Sequence, residues 1–120
     1  NLYSKPIPKP PAERPVTVLN YQKLRDIILQ RHKKLICVQY PMRDLQPLRD
    51  IVGNHPGIYF VDNEQSFKAA VKSDGYDKYF IDRFGKDFGH CTVLGNRLLA
   101  ENIAKVIHEN TLIRKVQDAQ

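Results

Sequence analysis

The apolar positions of this chain change their period several times, and each change marks out an element. From Thr17, a suitable helix N-cap, Tyr21, Leu24, Ile27 and Ile28 recur at spacings of three, three and one, which predicts a helix with one apolar face. The basic run Arg31-His32-Lys33-Lys34 falls at its end, where positive charge complements the helix dipole. Leu35 to Val38 is then a short continuous apolar run, the mark of a strand buried on both faces, and Pro41 ends it. Leu45 to Val52 reads as a short helix, with Pro47 in the first turn and Gly53 as its stop. Ile58-Tyr59-Phe60-Val61 repeats the buried-strand pattern, and Asp62 or Asn63 caps a helix through Val71. The last element is a helix from about Val93 to Glu109, capped by Thr92, with Leu94, Leu98, Leu99, Ile103, Val106 and Ile107 as its stripe.

Strands that alternate with helices predict an α/β fold with a parallel sheet covered by helices on both faces. Two parallel strands alone make a poor sheet, because each open edge leaves backbone donors and acceptors unpaired. The pattern therefore reads as the C-terminal part of a doubly wound domain whose first strands lie upstream of Asn1. Residues 1–16 carry Pro6, Pro8, Pro10, Pro11 and Pro15 and read as an extended, polyproline-like arm. Residues 17–110 form the domain part, and 111–120 a tail that extends the last helix or frays. Between the third helix and the last lies a stretch rich in aromatics and glycine: Tyr76, Tyr79, Phe80, Phe84, Gly85, Phe88 and Gly89. A loop of this length inside a compact domain is more often functional than decorative.

Composition changes this picture little. With 42% apolar and 27% charged residues the chain reads as globular, and its longest apolar runs are too short to span a bilayer. The formal charge is +6, but the positive residues are spread over several segments and read as a solvated basic surface rather than a nucleic-acid groove. Two cysteines, Cys37 and Cys91, make no disulfide framework, and no Cys or His pair has ligand spacing, so neither a metal nor a cofactor is expected.

Candidate chemistry gathers in Asp87-Phe88-Gly89-His90-Cys91-Thr92. An aspartate three residues before a histidine can set its carboxylate against the imidazole, which fixes the tautomer and stabilises the imidazolium. The same spacing also occurs in ordinary polar turns. Cys91 as a nucleophile activated by His90 is disfavoured, since adjacent residues in an extended turn point apart.

The run Gly89-His90-Cys91-Thr92, followed by Gly95-Asn96-Arg97-Leu98-Leu99-Ala100, resembles the last conserved block of SGNH (GDSL-type) ester hydrolases. Cys37-Val38-Gln39-Tyr40-Pro41-Met42-Arg43 is similar to the segment ending the fourth sheet strand in the same family. The resemblance spans residues 12 to 109 and is most specific over 87 to 100; Val93 departs from it, where relatives often have Pro. It implies a flavodoxin-like, three-layer α/β/α parent fold, with Asp87 and His90 as the catalytic pair of a serine ester hydrolase. Tyr79, Phe84 and Phe88, with Tyr76 and Phe80, are candidates to line the pocket for an ester substrate, with core packing the expectation for at least half of the five. The family's nucleophile lies in a Gly-Asp-Ser motif, with a Gly and an Asn in the oxyanion hole. Ser4, Ser66 and Ser73 stand in no such motif, so the resemblance implies that those blocks precede Asn1 and that this chain alone is inactive. Two other readings stay open: a non-catalytic module that self-associates as a homodimer, and a basic nucleic-acid binder.

Overall fold

A computed structural model describes residues 15–112 of the chain. The elements run α1 (Pro15–Gln30), β1 (Leu35–Val38), α2 (Gln46–Val52), β2 (Ile58–Val61), α3 (Glu64–Asp74), a 3-10 turn at Tyr76–Lys78, and α4 (Val93–Glu109). Of the arm expected over 1–16, residues 1–14 lie outside the described residues, as do 113–120 of the tail, while Pro15 and Val16 belong to α1 and not to an extended arm. The first helix begins at Pro15 rather than after a Thr17 cap, which suits proline's preset φ at an opening helical position. The third helix runs three residues past Val71, until Gly75 stops it with its N–H on the Val71 carbonyl.

β1 and β2 pair in parallel, with Leu35 opposite Ile58 and Val38 opposite Val61. Side chains alternate across a strand, so Leu35, Cys37, Ile58 and Phe60 share one face. There Cys37 and Ile58 form a core with Val52, closed by Leu48 of α2 and Leu29 of α1. The α1 residues Gln22 and Arg25 donate to the Ile51 and Val52 carbonyls at 3.4 and 2.9 Å, satisfying the open end of α2. α4 also packs against β2, so the described residues combine four α-helices with a two-strand parallel sheet.

A second core sits beyond the sheet's end. Phe67 of α3 is enclosed with Tyr79 and Phe80, packed by Met42, Val71, Leu98 and Leu99. Between the cores, the fully buried Asn63 ties three elements together. Its Nδ2 donates to the Gln39 carbonyl at 2.6 Å, and its Oδ1 accepts from Asn102 of α4 at 2.9 Å. Asn102 also donates to Ser66 of α3 at 2.8 Å.

β1 departs from the expectation of burial on both faces. Only Cys37 is buried, and Val38 is 41% exposed. The Leu35 and Gln39 N–H groups bond to Gly57 and Val61 of the β2 side, so by alternation the Ile36 and Val38 N–H groups face the open edge. Tyr21 and Leu24 of α1 line a groove with β1, and both, like Ile27, are about half exposed.

Candidate functional site

The stretch expected as an irregular loop is a narrow hairpin. Phe80 bridges Cys91 and Phe84 bridges Phe88, both antiparallel, with Ile81 N–H on the His90 carbonyl at 2.8 Å and Gly85 in a left-handed turn conformation. Its base is anchored because Phe80 and Tyr79 are buried in the second core and Thr92 N–H bonds to the Tyr79 carbonyl. Thr92 also starts α4, its hydroxyl accepting from Gly95 N–H at 3.1 Å. A Cβ on Gly95 would run into the Tyr79 carbonyl oxygen, so only glycine lets α4 approach the hairpin this closely.

The hairpin sets residue 82 opposite residue 90. Asp82 Oδ2 lies 2.6 Å from His90 Nδ1, and Asp82 Oδ1 accepts the His90 backbone N–H at 2.7 Å. The spacing had pointed to Asp87 for this contact, but the carboxylate at Nδ1 belongs to Asp82. A hairpin, unlike a helical turn, brings together residues on either side of its bend; Asp87 lies within the bend, three residues before His90. The hydrogen bonds from His90 hold the Asp82 carboxyl below the usual aspartate range. It is therefore ionised near neutrality and can only accept, so in a neutral imidazole Nδ1 would carry the proton and Nε2 the lone pair. The imidazole is 60% exposed, with the edge-on Phe84 ring 4.5 Å away between centroids.

The three aromatics expected to line a pocket part company. Tyr79 belongs to the core: its ring packs edge-on to Phe67 and its hydroxyl donates to Asp74 at 2.5 Å. Phe88 is half-buried beneath Tyr40 and the Arg43 guanidinium, which lie 5.1 Å from its ring centre. Phe84 alone of the three touches His90. The Phe88 contacts bring the hairpin against the segment that follows β1, at the carboxyl end of the sheet, where open α/β sheets bind their ligands. Met42 in that segment has φ +69, a left-handed conformation that costs a non-glycine residue about 1–2 kcal/mol, and its side chain packs into the second core.

Cys91 turns into the same core, and burial pushes its thiol pKa up, away from the thiolate a nucleophile needs. Ser66 accepts from Asn102 and Ser73 donates to Asp74. Among the described residues no three His, Cys, Asp or Glu side chains gather as a metal site, and no helix is long and apolar enough to cross a membrane. Sequence spacing missed Asp82. The available signal was pairing about a bend near Gly85 and Lys86, which places positions 82 and 90 across from each other. No family model, curated protein or solved structure matches this chain.

Proposed function

We propose that this chain is the C-terminal part of an SGNH-type serine hydrolase acting on carboxylic esters, and that His90 is its general base. The observation that carries the proposal is the imidazole itself. It is held at Nδ1 by a carboxylate, presents Nε2 to solvent, and stands at the carboxyl end of a parallel sheet. The resemblance over residues 87 to 100 supports the same reading. In it, a doubly wound, flavodoxin-like parent supplies further strands beside β1, and with them the serine and the oxyanion donors. His90 Nε2 takes the serine proton as the oxygen attacks the ester carbonyl, then returns it to the departing alcohol. Water repeats the sequence to release the acid. The exposed Phe84 ring beside His90 offers an apolar wall to one side of the ester.

The test is hydrolysis of a simple aryl ester. The chain alone is expected to show no saturable turnover, since a base without a nucleophile contributes little. In the parent polypeptide, His90→Ala should lower turnover on the order of a thousandfold or more, as in other triads. Saturable turnover by the isolated chain that survives His90→Ala, or near-normal rates of that variant in the parent, would overturn the assignment.

One observation favours a second reading, a self-associating module without catalysis. Among the described residues the β1 edge leaves Ile36 and Val38 backbone groups unpaired, with Tyr21, Leu24 and Ile27 half-exposed on α1, a surface able to pair with another copy.

A further inference from the structure

Two aspartates stand on the hairpin that carries His90, and they are not equivalent. We infer that Asp82, not Asp87, is the positioning residue of the histidine, and that Gly89 is glycine in order to seat it. The inference rests on the hydrolase reading for its catalytic meaning, but the geometry stands without it.

Asp82 grips His90 at two points. One oxygen takes the ring at Nδ1 and the other takes the main-chain N–H of the same residue, at 2.6 and 2.7 Å. Two acceptors on one rigid carboxylate fix both the backbone and the ring plane, which a single contact cannot do. The Asp82 backbone is itself held from behind. Tyr76 donates its hydroxyl to the Asp82 carbonyl at 2.7 Å, and the Arg83 guanidinium lies 3.9 Å over the Tyr76 ring. Arg83 also reaches across the bend to the Lys86 carbonyl at 2.7 Å, which sets the turn that returns the chain to His90.

Gly89 completes the seat. A Cβ built there would overlap the Asp82 carbonyl oxygen and come within 2.8 Å of Asp82 Oδ1, the oxygen that bonds the His90 N–H. Any side chain at 89 would push Asp82 out of its place against His90. Asp87 has no such relation to the ring. It lies in the bend between the bridged Phe84 and Phe88.

The experiment reads the ring nitrogens of His90 by long-range proton–nitrogen NMR in the full chain, on the neutral imidazole. In the wild type, Nδ1 is expected to carry the proton. Asp82→Ala should move the population toward the Nε2-protonated form, Asp82→Glu should restore part of it, and Asp87→Ala should leave it unchanged. A measurement that needs no Asp82 variant protects against misfolding: in His90→Ala, the Asp82 carboxyl followed by carbon NMR should titrate at higher pH than in the wild type. The inference is overturned if Asp87→Ala shifts the tautomer while Asp82→Ala does not, or if the Asp82 titration ignores loss of His90. Ester cleavage by the parent separates this from the hydrolase reading. Asp82→Asn should lower kcat on the order of ten-thousandfold with little change in KM, the loss expected from a wrong tautomer. Loss confined to Asp87→Asn would overturn the Asp82 assignment and keep the hydrolase. A tautomer that follows Asp82, in a parent that cleaves no ester, would keep the assignment and overturn the hydrolase.

Discussion

Replacing Asn63 by alanine should unfold this chain far more readily than its single-residue size suggests. The side chain is fully buried and spans the end of β1, the start of α3 and the middle of α4. Alanine removes the donor to the Gln39 carbonyl and the acceptor for Asn102, two bonds with a net worth of about 1 kcal/mol each. Asn102 keeps Ser66, but the half-buried Gln39 carbonyl loses its 2.6 Å donor, which adds about 1–2 kcal/mol. The expected loss is therefore about 3–4 kcal/mol, a large share of the roughly 5–15 kcal/mol that stabilises a whole domain. Asn102→Ala should cost less, about 1–2 kcal/mol, because its half-buried position lets water replace part of what is lost. Asn63→Asp should cost at least as much as alanine, since it turns a carboxylate oxygen on the Gln39 carbonyl. The assay is urea unfolding followed by far-ultraviolet circular dichroism at one fixed protein concentration, because association would shift the midpoint. Combining the two alanine variants closes a double-mutant cycle, with an expected coupling of about 0.5–1.5 kcal/mol. A loss below about 1 kcal/mol for Asn63→Ala, or no coupling to Asn102, would refute the bridge.

Three further outcomes follow from the same contacts. Gly89→Ala should detach His90 from Asp82, read as loss of the His90 amide's protection from exchange, whereas Ala at the exposed position 69 should tolerate Ser without effect. Asp82 and Asp74 both have carboxyl pKa values below the ordinary aspartate value, Asp82 through its bonds from His90 and Asp74 through the Tyr79 hydroxyl. A depressed carboxyl stabilises the fold above the unfolded pKa of about 3.9 and loses that effect as pH falls through the folded value. The urea midpoint of the wild type should thus fall toward those of Asp82→Asn and Asp74→Asn only below about pH 4; equal gaps at pH 2 and pH 6 would contradict the shifts. The isolated chain should sediment as a dimer or larger species at micromolar concentration, with Val38→Lys on the open edge shifting it to monomer; a stable wild-type monomer would argue against edge pairing.

The elements themselves were legible from local signals. Leu35–Val38 and Ile58–Val61 announce strands by continuous apolar runs, and Thr92 with the stripe from Leu94 onward announces α4, because these choices depend on neighbours a few residues away. The α/β class with a parallel pair followed from their alternation. His90 could be singled out from its motif, but its partner could not. An Asp-x-x-His spacing is a local measure, whereas the contact with Asp82 is made across a hairpin whose closure depends on Phe80 and Tyr79 being buried in a core shared with α3 and α4. The same limit explains the aromatics. Tyr79, Phe84 and Phe88 are alike in sequence, and only packing divides them into a core residue, a wall beside the imidazole and a layer under Arg43. The exposure of Val38 is tertiary too. An apolar run states that a strand has side chains to bury, and the elements packed around it decide which of them find cover: among the described residues α4 reaches β2 and none pairs with the outer edge of β1.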